Sequence, residues 1–136
     1  AIDDCGVPIN PQIVQGQIHG AAAHGVAAVL QETLEYDEQG QLLNGTFWDY
    51  HVISAPDTPA FRTGHVVSPS PFTPTGSKGM GEGGGGALHT VCSAIQDALR
   101  GTGAIVTDSH NPTERVWSLL HDPTPGGRRG AEVTSR

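Results

Sequence analysis

From Gly76 to Gly86 the chain reads Gly-Ser-Lys-Gly-Met-Gly-Glu-Gly-Gly-Gly-Gly, which sets one carboxylate, Glu82, inside backbone almost bare of side chains. Such backbone lets a bulky group approach the main chain closely, and Glu82 is then the group there able to move a proton. A glycine cluster by itself equally describes a flexible loop with a solvated carboxylate. The elements around the run therefore decide what it can do.

Those elements can be read from spacing. Asn10 and Pro11 mark a helix start, because Asn caps free N–H groups and Pro is tolerated at the first helical position. The pattern predicts a helix over 11–34 whose stripe contains Val14, Ile18, Ala22 and Val29, with Gln17, Ala21, His24 and Ala28 along one flank. Gly16, Gly20 and Gly25 each cost about 1 kcal/mol relative to Ala in a helix interior, so close approach of another backbone or a cofactor is expected there. A turn over 36–40, with Gly40 left-handed, leads into an expected strand over 41–50, and a second extended piece over 61–67 should pair nearby. The short segment 1–5 suits the end of a strand whose partners lie upstream. The three prolines of 68–74 predict an extended connector without sheet bonds. Leu88, Val91, Cys92, Ile95, Ala98 and Leu99 predict a helix over 87–99, whose N-terminal N–H groups face whatever the glycines enclose. A short strand over 104–107 and a last helix through Leu120, capped by Asn111 with Pro112 and Glu114 behind it, complete the ordered part. The tail after His121 is expected to be disordered, which gives a domain segment over 1–121 and a tail over 122–136.

Composition narrows the function. Among 136 residues only 36% are apolar and 5% aromatic, with 19 Gly and 10 Pro, so the core should be modest and should lean on other protein. A formal charge of -7 sets the chain against nucleic acid and anionic membrane surfaces. No apolar run is long enough to span a bilayer and the first residues do not resemble a signal peptide, so a cytoplasmic protein is expected. The chain opens on Ala1 rather than Met, which suggests a processed product or a piece of something longer. Cys5 and Cys92 form no Cys-x-x-Cys pattern and are expected as free buried thiols. His19 and His24 are five apart and no His-Glu-x-x-His occurs, so no side chain is assigned as a metal ligand.

The order Asp3-Asp4-Cys5-Gly6, Ile9-Asn10-Pro11, Gln15-Gly16-Gln17-Ile18-His19-Gly20, Ser68-Pro69-Ser70-Pro71 and Lys78-Gly79-Met80-Gly81-Glu82 resembles one family. The likeness is to the C-terminal part of the molybdenum-binding large subunit of the xanthine dehydrogenase, aldehyde oxidase and aerobic carbon monoxide dehydrogenase family, and it is strongest to the carbon monoxide dehydrogenase branch. The resemblance runs from about Ile2 to Leu120 and covers only the last part of such a subunit.

It implies an α/β (α+β) fold, part of a molybdenum-binding domain, with a short mixed sheet, two main helices and a short C-terminal helix. It further implies oxidative hydroxylation of a carbon centre (an aldehyde, an N-heterocycle or carbon monoxide) with water as the oxygen source. The cofactor would be molybdopterin carrying Mo, in the cytosine dinucleotide form common among bacterial relatives. FAD and [2Fe-2S] centres would sit in partner flavin and iron-sulfur subunits, and the rest of the molybdenum subunit would close the site. Glu82 takes the position of the catalytic glutamate, and Gln17 that of the helix amide against the pterin. Ser77, Lys78, Gly79, Met80 and Gly81 would approach the cofactor through backbone N–H groups. His24 stands where many relatives carry Gln and is read as a hydrogen-bonded core residue. The uninterrupted glycine of 83–86 departs from the mixed residues of relatives. Two other readings stand beside this one: a non-catalytic interaction module without cofactor, and a phosphate-binding domain, which the lack of a Gly-Lys-Ser/Thr ending disfavours.

Overall fold

The computed structural model describes residues 1–82 and 86–121. The expected tail and the glycines at 83–85 lie outside the described residues.

Helix α1, Pro11–Leu30, opens as its sequence dictates: Asn10 Oδ1 accepts the Ile13 N–H at 3.2 Å, and Pro11 occupies the first turn. It ends at Leu30, short of the expected 34. Gln31 and Glu32 both donate to the Ala27 carbonyl at 2.8 Å, which widens the last turn. Asn44 then takes over the backbone beyond it, donating to Thr33 O at 2.6 Å and accepting the Glu35 N–H at 3.0 Å. The buried positions are Ile18, Gly25, Ala27 and Val29. Ile18, Gly25 and Val29 form one stripe, whereas Ala27 lies on the opposite side, so the C-terminal half of the helix is covered from two directions.

The sheet is minimal. β1, Ile2–Asp3, pairs in parallel with β2, Gly64–His65, in the register Ile2↔Gly64 and Asp3↔His65. Parallel pairing requires a crossover, which α1 supplies. The first residues thus find one strand partner within this chain, 62 residues on. The expected strand over 41–50 is absent. Gly40 is left-handed (φ +81°), as its turn demands, but pairing stops at the single bridge Tyr36↔Leu42. Thr46 and Asp49 then close a turn, with the Tyr50 N–H on Thr46 O at 2.8 Å, and leave Phe47 and Trp48 96% and 97% exposed.

Helix α2, Ala87–Ala98, and helix α3, Thr113–His121, follow the expected spacing. A Cβ placed on Gly25 of α1 would lie 2.4 Å from Ala87 Cβ, so glycine is what lets α2 cross α1 at this point. Leu99, Ala104 and Leu119 form the buried cluster, with Ile95, Val106 and Val116 against it. The expected strand over 104–107 does not form, because the Gln96 side chain substitutes for a neighbouring strand: its Nε2 donates to Ala104 O at 3.0 Å and its Oε1 accepts the Val106 N–H at 2.7 Å. Asn111 does not cap α3 with its side chain. Its N–H donates to Val29 O and its Nδ2 to Asp108 O, both at 2.7 Å, and its buried Oδ1 has no partner among the described residues. Of the two free thiols, Cys5 is buried and Cys92 half-buried.

Candidate active site

Two segments distant in sequence are zipped together at the start of the glycine-rich run. The Lys78 N–H donates to Cys5 O at 2.7 Å and the Val7 N–H to Gly76 O at 3.1 Å, around the antiparallel bridge Gly6↔Ser77. Gly76 O also accepts the Ser70 N–H at 2.9 Å, so 68–76 folds into turns rather than the extended connector expected of its prolines. Two glycines make this approach possible: Gly6 (φ +67°) and Gly76 (φ +71°) are both left-handed.

The side chains reinforce the zipper. Asp4 Oδ1 accepts the N–H groups of Gly6 at 2.8 Å and Ser68 at 3.2 Å, while Oδ2 takes Lys78 Nζ at 3.0 Å. Lys78 Nζ donates a second bond to Ser68 Oγ at 3.0 Å. The Gly6 N–H, then the Lys78 ammonium, with the Ser68 N–H behind them, hold the Asp4 carboxyl well below the usual carboxylate range. A depressed carboxyl stabilises the fold above its unfolded value, near ~3.9, and loses that contribution only as pH falls through the lower folded value. Asp4 is therefore expected to show no carboxyl inflection in a 13C NMR titration between about pH 4 and 8. A midpoint near the ordinary value would contradict the clamp.

Past Lys78 the backbone is unencumbered. No hydrogen bond engages Gly79, Met80, Gly81 or Glu82 among the described residues, and a Cβ at Gly79 or Gly81 would meet nothing within 4 Å. Glu82 is exposed in a turn and pairs with none of the described residues. The Lys78 N–H, by contrast, is engaged with Cys5, and the Ser77 N–H leans on Thr75 Oγ1 at 3.4 Å. Ala87, five positions after Glu82, meets Gly25 of α1.

Gln17 lies two turns before Gly25, about 12 Å along α1 and about 80° around it. It is exposed on a flank with Ile13, Gly20 and His24. His24 is thus a surface residue and not the core histidine its sequence context suggested. Gly16 and Gly20 have open space where a Cβ would stand, unlike Gly25. The exposed flank Ile13, Gln17, Gly20 and His24, whose one amide pairs with none of the described residues, runs along α1 toward Gly25, where that helix meets the α2 N-terminus, and the N–H groups of 79–81 belong to the sequence preceding α2. Flat polar rings and phosphates suit such a lining, since an amide both donates and accepts and bare backbone donates to anions. Among the described residues no cluster of His, Cys, Asp or Glu could hold a metal ion, so a metal bound here would bring or borrow its ligands.

Residues 1–59 match the model of a molybdopterin cofactor-binding domain. The chain is 40% identical over 123 residues to the carbon monoxide dehydrogenase large chain of Hydrogenophaga pseudoflava, covering 90% of this chain and 15% of that protein. It is 39% identical over 117 residues to the nicotine 6-hydroxylase large subunit of Paenarthrobacter nicotinovorans, covering 85% of this chain and 14% of that one. The crystal structure of quinoline 2-oxidoreductase from Pseudomonas putida 86 superposes with a TM-score of 0.84 at 36% identity, over 90% of this chain and 16% of that one. The chain therefore spans about 15% of the length of the relatives it matches. With its helix flank, its glycine-rich run and these likenesses together, the chain belongs to the xanthine dehydrogenase, aldehyde oxidase and aerobic carbon monoxide dehydrogenase family, as a segment of the molybdopterin-binding large subunit.

Proposed function

We propose that this chain supplies the proton acceptor and part of the cofactor cradle of a molybdenum-dependent hydroxylase, and that it is inactive without the rest of the large subunit and the iron-sulfur and flavin subunits. The observation that carries the reading is Glu82 itself: a carboxylate with no partner among the described residues, at the end of bare backbone held at Lys78, in a chain so similar to such large chains.

In this reading Gln17 on α1 and the N–H groups of Gly79, Met80 and Gly81 hold the pterin, in its cytosine dinucleotide form. Ser77 and Lys78 fix the run instead of lending it their N–H groups. Bound there, a molybdopterin cofactor supplies an oxygen nucleophile derived from water and a two-electron acceptor. The carbon gains one oxygen, and two electrons and two protons leave. Glu82 takes a proton at its carboxylate, a task that needs hydrogen-bond reach and a proton affinity raised by exclusion of water. The chain alone leaves Glu82 open to solvent, so that exclusion must come from the covering parts of the enzyme. The substrate class is an electron-poor carbon, as in an aldehyde, an N-heterocycle or carbon monoxide.

Metal analysis and pterin identification on the complex purified through this chain test the reading. About one Mo per chain with a pterin dinucleotide is expected, and a metal-free, pterin-free species would overturn it in favour of a non-catalytic module. Gly20→Ala adds a sharper contrast. By itself the chain should tolerate it or gain up to about 1 kcal/mol of helix stability, while the assembled enzyme should lose Mo, because the open space at Gly20 is where the cofactor or its covering backbone lies. Unchanged Mo content would remove that face from the site.

A further inference from the structure

We propose that Asp4 is a positioning residue for Glu82, acting through Lys78: its carboxylate fixes the start of the 79–82 run and keeps the Lys78 ammonium from pairing with the Glu82 carboxylate. This rests on Glu82 being the proton acceptor.

Lys78 is the last residue before Glu82 that any hydrogen bond holds, and it is held three ways: N–H to Cys5 O, Nζ to Asp4 and Nζ to Ser68 Oγ. Three residues separate it from Glu82, and the four steps between them span at most about 14 Å of extended chain. Where the carboxylate can go is therefore set by where Lys78 is pinned. The charge matters as much as the tether. A lysine is a flexible point charge, and one released four positions before a glutamate that has no partner among the described residues would be drawn to it. That pairing favours the ionised carboxylate and weakens it as a base. With Asp4 ionised throughout the neutral range, the ammonium stays occupied. The other ionisable groups beside the clamp are Cys5 and His65, whose Nε2 faces Cys5 Sγ at 3.8 Å and Gly6 O at 3.4 Å, and Asp3 next in the chain. No charged side chain among the described residues pairs with Glu82.

The Asp4 and Lys78 side chains are 30% and 37% exposed, so their pairing adds little to global stability and its loss should leave the protein folded. Three variants of the assembled enzyme test the proposal. Asp4→Asn keeps an oxygen for the Gly6 and Ser68 N–H groups but turns an NH2 toward the ammonium. Hydrogen exchange at the amides of 79–82 should then quicken about tenfold against the rest of the chain, kcat should fall about tenfold or more with a smaller change in KM, and the acid limb of the kcat–pH profile should move to lower pH. Lys78→Gln should quicken the same exchange and lower kcat without moving the acid limb, since no cation is released. The double variant, in which the Asn NH2 can donate to the Gln carbonyl, should recover most of the exchange protection and of kcat.

Unchanged exchange and an unmoved acid limb in Asp4→Asn, or no recovery in the double variant, overturns the positioning role. Glu82→Gln run in parallel separates the two claims. If it keeps full turnover, the proton-acceptor reading and the catalytic half of this proposal fall together, with the exchange data reporting only on the tether. If it is inactive while Asp4→Asn behaves as the parent enzyme, positioning alone is wrong.

Discussion

Glu82→Gln in the assembled enzyme is expected to lower kcat by about 10² to 10⁴-fold while Mo and pterin contents stay at parent levels. The amide nearly matches the carboxylate in size and can still hydrogen-bond, but it cannot take up a proton near neutral pH. No hydrogen bond or ion pair of the described residues depends on the Glu82 side chain, so the substitution removes basicity without disturbing the fold. Single-turnover measurements should place the whole loss in the chemical step. A variant with half the parent rate would mean that the proton leaves by another route.

Gly6→Ala should be among the most damaging small substitutions. The residue is left-handed (φ +67°), and an added Cβ would stand 2.2 Å from Gly76 O, the carbonyl that joins the Val7 and Ser70 N–H groups. Backbone cannot yield as a side-chain tip can, so the zipper between 4–7 and 76–78 must open. A loss of about 3 kcal/mol is expected, read from the denaturant midpoint. Gly79→Ala is the control: a Cβ there meets nothing within 4 Å, and the fold should change by less than about 0.5 kcal/mol. Equal effects at the two positions would contradict the zipper.

What the sequence revealed and what it hid divide by the range of the interactions. The Asn10–Pro11 start of α1 and the spacing of α2 were legible because caps and periodicity act within one or two turns. The strands expected over 41–50 and 104–107 were misread because single side chains, Asn44 in the first segment and Gln96 against the second, took hydrogen bonds that a strand pattern assigns to a neighbouring strand. Asn111 was read as a cap although its amide is committed to the Asp108 carbonyl. Of three helical glycines expected to allow close approach, only Gly25 has a close neighbour among the described residues, and Gly16 and Gly20 face open space. Glu82 and Gln17 stood out by resemblance, since neither residue type is distinctive by itself. Asp4 was visible only as part of a resembling motif, because its partner Lys78 lies 74 residues away and no local pattern joins them. The low apolar content foretold an incomplete core, and the bare rings of Phe47 and Trp48 are where that incompleteness appears.

Everything turns on where the Glu82 carboxylate lies once the other parts of the enzyme enclose it. A crystal structure of the assembled, cofactor-loaded enzyme measures this directly. The account predicts a Glu82 oxygen within about 3 Å of the reacting group at molybdenum, the Gln17 amide and the N–H groups of 79–81 against the pterin, and Lys78 still on Asp4. A Glu82 side chain pointing into bulk solvent, with the pterin bound away from α1 and the glycine-rich run, would contradict it.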